Sequence, residues 1–200
     1  MNHRAIVFAA LTALTASAQS TAINGGMQVG LGFPAGDFAS KKESNLFVGA
    51  NQGIGMHFGG HLDFNYNPNH ELRLILNFNG FASKEQDIGF GTQQNSFSIA
   101  QLGADYVYNF SSYLKGGYFF AGLNFNRVYA KYELSTFGNA EATQTGRVGL
   151  RVGGGYNFNR VFSLEGHLNN VAVDKDGDDG MGMDAISWVA VSCSFRFGGH

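Results

Sequence analysis

Eight segments of the sequence alternate between apolar residues and polar or small ones, and this alternation restricts the fold more than any other feature. A period of two is the period of a β-strand, whose successive side chains point to opposite faces of a sheet. In the segment RVGLRVGG, for example, Val148 and Leu150 lie on one face and Arg151 on the other. The pattern predicts an all-β fold of eight antiparallel strands, an even number that can close into a barrel.

The face that carries the charges could point either to water or into the barrel. Charged residues make up only 14% of the chain, whereas about 25% is usual in a soluble domain. A soluble surface of this size would need more lysine and glutamate, so we expect the apolar face to contact lipid. The charged residues predicted to form an interior network are Asp63, Glu71, Arg73, Asp105, Arg147, Arg151, Glu165, His167 and Arg196, with His57 and His61 nearby.

The predicted connections between strands alternate in length. Short links fall near Asn67, Ser111 and Asn159, and longer polar ones at 34–51, 82–95, 131–145 and 174–184. Transmembrane barrels have short periplasmic turns and longer extracellular loops. The alternation therefore favours a transmembrane barrel over a soluble meander.

Aromatic residues of the apolar face gather at the ends with short turns. Aromatic rings concentrate at the membrane–water interface, whereas a soluble core would spread them along the strands. We therefore predict a periplasmic aromatic girdle. Its members are Tyr66, Tyr106, Tyr108, Phe110, Tyr156, Phe158, Phe162 and Phe195.

The first residues of the chain predict export. Arg4 precedes an apolar run over 5–14, and the small residues Ala16 and Ala18 follow it. This arrangement is typical of a secretory signal peptide, here for the Sec pathway, with cleavage after Ala18. The predicted organisation is a signal peptide over 1–18 and a barrel domain over 19–200. Cys193 is the sole cysteine, so strand pairing rather than a disulfide must stabilise the domain.

The mature sequence resembles the small outer-membrane β-barrel family, the OmpA/OmpX-like eight-stranded barrels found among porin-family proteins. The matching segments are GLGFPAGDF, LGADYVYNF followed by GGYFFAGLNF, and the terminal SCSFRF. The resemblance implies a Gram-negative outer membrane, contact with its lipid and lipopolysaccharide, and insertion by the barrel-assembly machinery. In that family the machinery recognises an aromatic residue that ends the last strand. Phe197 is the matching residue, and here GGH follows it.

These observations favour a non-enzymatic role in structure or surface interaction. Adhesion or contact with an extracellular ligand would use the long loops, above all 35–51 and 173–184, while the ion pairs plug the interior. The alternative is a narrow, low-conductance ion pore that opens when the pairs switch partners. A net charge of −2 provides no basic field, so we expect no nucleic-acid partner.

The sequence predicts neither a metal site nor a cofactor. His57 and His61 are four strand residues apart, about 13 Å, which is too far for both to bind one ion. Counted as an EF-hand loop from Asp174, the sixth position is Asp179 rather than glycine and the twelfth is Ala185 rather than glutamate. A solvated acidic tip is the favoured interpretation, with weak binding of calcium or lipopolysaccharide-bridging cations left open.

A lipid-modifying barrel enzyme is the third functional class. Lipid A deacylase barrels resemble this chain in size and carry a His-x-Ser motif. Here His167 is followed two positions later by Asn169, so a nucleophile within hydrogen-bond reach of the base is missing. We therefore expect no enzymatic activity.

Overall fold

The computed structural model describes residues 22–40, 51–83, 85–87, 91–111, 114–135, 138–176 and 180–197. The predicted signal peptide lies outside these residues. Within them, no helix is long and apolar enough to cross a membrane. The strands are β1 Ala22–Ala35, β2 Gly55–Asn67, β3 His70–Ala82, β4 Gln86–Asp87, β5 Thr92–Asn109, β6 Gly116–Leu134, β7 Gly138–Asn157, β8 Phe162–Ala172 and β9 Ala185–Phe197, and a 3-10 helix spans Gly36–Phe38.

Eight of these strands form one closed antiparallel ring. Consecutive long strands pair with each other, β3 pairs directly with β5, and β1 pairs with β9 to close the barrel. The closing register places Val29 opposite Cys193. The two-residue strand β4 pairs with the start of β5. The prediction of an eight-stranded all-β barrel is therefore confirmed.

The two faces of the wall differ as the alternation predicts. On β7, Leu150 is 60% exposed and its neighbour Arg151 is 1% exposed. Leu62 and Asp63 on β2 show the same contrast. The outer wall is apolar because these residues meet lipid, and the polar residues between them point into the barrel.

Two of the short turns use the same side-chain device. The Oδ1 atom of Asn67 accepts hydrogen bonds from the backbone N–H groups two and three residues ahead, at 3.0 and 3.1 Å. Asn159 Oδ1 accepts the equivalent bonds at 2.9 and 2.8 Å. These bonds satisfy backbone donors that would be left free at the end of a strand pair, and thus permit a tight reversal.

The prediction of a long loop over 131–145 is wrong. Strands β6 and β7 continue to Leu134 and Gly138, with Lys131 opposite Glu141. A hairpin that leaves the membrane loses the apolar outer face while its backbone pairing continues, so its polar sequence is similar to that of a loop. The predicted loop over 82–95 is also shorter, because β5 begins at Thr92.

The extracellular half of the barrel interior contains an apolar cluster, which the sequence analysis did not predict. Phe38 of the 3-10 helix is fully buried, with its ring centroid 5.1 Å from that of Phe81 and 5.2 Å from that of Phe97. We call this cluster the apolar cap. It comprises Phe38, Phe81, Phe97, Ile99, Val128, Ala130, Tyr132, Ala142, Val171, Val173, Met181, Met183, Ile186, Trp188 and Ala190.

The assignment of faces predicts different costs for the same change at two heights on β7. Leu150→Arg places a charge near the middle of the apolar wall and is expected to lower the free energy of unfolding by about 2–4 kcal/mol. The control Thr145→Arg lies on the same face nearer the interface and is expected to cost about 0–1 kcal/mol. Urea titration of barrels refolded into bilayers measures both, and equal stability of Leu150→Arg and the unmodified chain would contradict the assignment.

Candidate functional site

A network of buried ion pairs lies in the barrel interior, on the periplasmic side of the apolar cap. Its centre is the Glu165 carboxylate of β8. Arg73 Nη1 donates to Glu165 Oε2 at 2.7 Å, and Arg151 Nη2 donates to Oε1. The Tyr118 hydroxyl donates a third bond to Oε2 at 3.0 Å. One carboxylate thus joins strands β3, β6, β7 and β8 across the barrel.

A second carboxylate, Asp63 on β2, forms the other branch. Arg73 Nε donates to Oδ1 and Arg196 Nε to Oδ2, both at 3.0 Å. His61 Nδ1 lies 2.8 Å from Oδ1. Arg196 also donates to Asn157 Oδ1 at 2.6 Å. Each oxygen of this fully buried carboxylate therefore has a charged partner, which offsets the cost of removing it from water.

The remaining acids pair less completely. Asp105 forms an ion pair with Arg151, and Glu71 Oε1 lies 3.3 Å from Arg73 Nη2. With these two included, the network contains four carboxylates and three guanidinium groups. The carboxylates are those of Asp63, Glu71, Asp105 and Glu165, and the guanidinium groups are those of Arg73, Arg151 and Arg196. One negative charge is in excess when the histidines are neutral. A proton or cation within the network would balance it in a site this poorly solvated.

Inward aromatic rings and small residues give the network its shape, and sequence reasoning did not select them. The Arg151 guanidinium lies 4.5 Å from the centroid of the Phe120 ring, close enough for a cation–π interaction. A Cβ atom at Gly122 would overlap the Asp105 carboxylate, and one at Gly155 would overlap the Tyr118 ring. The inward alternation of Tyr118 and Phe120 with outward Phe119 was a signal that could have identified both rings.

The structure places His167 within this network and Arg147 outside it. His167 Nδ1 lies 3.3 Å both from Glu165 Oε1 and from Arg151 Nη2. Arg147 instead pairs with Asp174 at the extracellular mouth, with Nη1 2.9 Å from Oδ1. The side chain of Arg147 is 27% exposed. It lies four strand residues from Arg151, about 13 Å nearer the extracellular end, so its guanidinium reaches the last loop rather than the buried acids.

The histidines are distributed over different contacts. His57 is buried with its ring centroid 5.6 Å from that of His167, while His61 belongs to the Asp63 branch. Among the described residues, no group of three or more His, Cys, Asp or Glu side chains is arranged to hold a metal ion. Asp178 and Asp179 of the acidic loop lie outside the described residues, so its interaction with cations stays a prediction.

A serine, a histidine and an aspartate form a hydrogen-bonded chain that the sequence analysis missed. His61 Nε2 lies 2.9 Å from Ser194 Oγ, and His61 Nδ1 lies 2.8 Å from the Asp63 carboxylate. The order resembles a nucleophile, base and acid. All three side chains are buried, however, and Asp63 is also held by two arginines. The chain is therefore explained by hydrogen-bond satisfaction within the network.

The residues selected as an aromatic girdle lie on the outer wall at the end with short turns. Several of their rings are in contact, with centroids 5.9 Å apart for Tyr108 and Phe110 and 5.5 Å apart for Phe162 and Phe195. Phe197 is exposed on the same side, at the end of β9. Its part in barrel assembly stays a prediction.

Comparison with known proteins identifies the family. A model of the outer membrane protein beta-barrel domain matches residues 6–197. The chain belongs to this family. It is accordingly a protein of the bacterial outer membrane. No curated protein matches the chain in sequence.

Solved structures share the fold at low sequence identity. The attachment invasion locus protein Ail of Yersinia pestis, in complex with the heparin analogue sucrose octasulfate, is 13% identical with a TM-score of 0.54, over 88% of this chain and 99% of that one. Neisserial surface protein A is 12% identical with a TM-score of 0.52, over 89% and 98%. The N-terminal β-barrel domain of Pseudomonas aeruginosa OprF is 11% identical with a TM-score of 0.51, over 89% and 100%.

Buried and half-exposed ion pairs predict a large and a small loss of stability, respectively, for the removal of two arginines of β7. Arg151→Ala leaves Asp105 and Glu165 buried with fewer partners and is expected to lower the free energy of unfolding by about 3–5 kcal/mol. The control Arg147→Ala removes a half-exposed pair and is expected to cost about 0–1 kcal/mol. Urea unfolding of both variants in the same lipid bilayers tests this, and similar losses would show that the buried network does not stabilise the barrel.

Proposed function

We propose that this outer-membrane barrel is a non-enzymatic surface-interaction protein whose interior is closed and whose extracellular segments contact a partner. The observation that carries the proposal is the division of the interior into two layers. A network of buried ion pairs occupies one layer, and the apolar cap occupies the other. A protein with both layers filled acts at its surface.

The filled interior argues against the alternative of an ion pore. An eight-stranded barrel is just wide enough for its side chains to fill. An ion would have to separate the arginines from Glu165 and then pass the apolar cap, where Phe38 and Trp188 are fully buried. A hydrophobic constriction of this kind excludes water and hence ions.

The buried position of the Ser194–His61–Asp63 chain argues against the enzymatic alternative. A nucleophile must reach the carbonyl group of its substrate, and a lipid substrate lies outside the wall. Ser194 points inward and is 3% exposed. The network gives this serine a structural partner rather than a substrate.

The charge of the extracellular segments indicates what kind of partner they could contact. The segment 174–184 contains five aspartates and one lysine, a net charge of −4. The segments 34–51, 82–95 and 131–145 contribute 0, −1 and −1, so all four together carry −6. Ail was solved with a polyanionic heparin analogue. The acidic segments of this chain favour a cationic surface instead.

Export and insertion form part of the same proposal. The signal peptide over 1–18 directs the chain through the Sec pathway and is removed after Ala18. The barrel-assembly machinery then recognises the end of β9 at Phe197. The mature barrel contacts outer-membrane lipid and lipopolysaccharide through its apolar wall.

Planar-bilayer recording tests the closed interior. The refolded barrel is expected to give no discrete conductance steps, and Arg151→Ala is expected to remain silent because the apolar cap is intact. The outward variant Leu150→Ala provides the control for bilayer disturbance. Steps in the unmodified barrel that grow in Arg151→Ala would favour the gated pore.

Binding to charged surfaces tests the proposed contact. Proteoliposomes bearing the barrel are expected to bind polylysine-coated beads and not heparin-coated beads. Changing Asp176, Asp178, Asp179 and Asp184 together to asparagine is expected to weaken polylysine binding about tenfold, because these charges create the attractive field. Asp174 is kept to preserve its pair with Arg147. Stronger binding to heparin than to polylysine would contradict the proposal.

A further inference from the structure

Arg127 of β6 is a charged residue on the lipid-facing wall. The outward face of β6 runs through Phe119, Ala121, Leu123 and Phe125 to Arg127, whose side chain is exposed. The described arginines at 73, 151 and 196 are instead buried in the interior. Lipid-facing arginine destabilises a barrel unless it lies near the interface, so the height of Arg127 on the wall decides what its guanidinium can contact.

The residues around Arg127 do not neutralise it. Its cross-strand partners are Ala100 on β5 and Thr145 on β7, both uncharged. The neighbouring cations are already paired, Lys131 with Glu133 and Arg147 with Asp174. No carboxylate among the described residues forms an ion pair with Arg127, so its guanidinium is available to a group outside the chain.

Two grooves in the outer wall meet at this residue. One has a volume of about 670 Å³ and is lined by Met56, Phe58, Phe78, Ala100, Arg127 and Tyr129 among others. The other has a volume of about 300 Å³ and extends past Leu76, Leu102 and Phe125. Small residues line both grooves, Gly80 and Ser98 the larger and Gly146 the smaller, and both grooves contain Ala100 and Arg127.

The height of Arg127 places it at the outer edge of the apolar wall. Phe119 contacts Tyr108 and Phe110 of the periplasmic girdle. Arg127 is eight strand residues further on, which is about 20 Å along the barrel axis for a strand tilted by about 40°. The apolar band of such barrels is about 25 Å tall. The guanidinium therefore reaches the polar headgroups of the outer leaflet.

We propose that Arg127 and the two grooves form a binding site for a phosphorylated, multiply acylated lipid of the outer leaflet. The planar guanidinium binds a phosphate group through paired hydrogen bonds. Acyl chains of the same lipid lie in the grooves on either side of Ala100. The anionic headgroup of such a lipid meets the Arg127 guanidinium while its acyl chains meet the apolar grooves. A zwitterionic lipid binds less strongly, because its own ammonium group competes with Arg127 for the phosphate.

The test measures binding of diphosphorylated lipid A to the folded full-length mature barrel by native mass spectrometry from detergent. Arg127→Gln removes the charge, and Ala100→Phe fills both grooves without touching the barrel interior. Each is expected to weaken lipid A binding about tenfold, the effect of losing one charge-assisted contact or its apolar counterpart. Arg127→Lys is expected to retain part of the binding.

Matched controls separate the site from the general lipid contact of the wall. Ala104→Phe makes the same change four residues along the same face of β5, outside both grooves, and is expected to bind lipid A normally. Fully dephosphorylated lipid A is expected to bind the unmodified barrel as weakly as lipid A binds Arg127→Gln.

Three results would overturn the site. They are undiminished binding by Arg127→Gln, undiminished binding by Ala100→Phe, and equal affinity for the phosphorylated and dephosphorylated lipids. Heat-dependent gel mobility reports whether each barrel is folded, and Arg127→Gln, at an exposed position, decides the matter if Ala100→Phe does not fold. The lipid site does not depend on the acidic loop. Polylysine binding therefore tests the proposed function, and lipid A binding tests the lipid site, independently of each other.

Discussion

Seven charged groups share the interior of one narrow barrel, and most other features of the structure follow from the need to pair them. Glu165 and Asp63 each accept from two arginines, and Arg73 joins both acids. These partners come from strands on different sides of the ring. A slip of one residue in the register of any of these strands would turn its charged residues toward lipid. The ion pairs thus enforce the register that the apolar wall also favours.

The strand period was sufficient to predict the barrel, its two faces and the inward charges, because alternation is a local property of the sequence. Pairing between particular charges could not be predicted in the same way, since Arg73 and Glu165 meet across the barrel. Arg147 has the same inward parity as Arg151 but lies four strand residues nearer the extracellular end, where it pairs with Asp174. The full length of β6 and β7 could not be predicted, because a β-hairpin that extends into water and a loop can have similar amino-acid compositions.

The apolar cap illustrates a different limit of sequence reasoning. Phe81 and Phe97 lie on the inward face of their strands and could have been assigned there by extending the alternation. Phe38 and Met181 belong to connections between strands and enter the interior only through tertiary packing. With the cap above and the ions below, polar and apolar cores occupy different levels of one barrel. The family fold accommodates both because its strands keep the same alternation through the change.

The ring closure between β1 and β9 has a consequence for how the chain must fold. The groups that bind Asp63 include Arg196 at the far end of the chain, opposite Gly26 in the closed barrel. Contacts between residues so distant in sequence form late, because closing a long loop is entropically costly. The carboxylate of Asp63 therefore acquires its full set of partners only when the last strand arrives. Until then the charges on the early strands lack some of their final partners, and water must take the place of those partners.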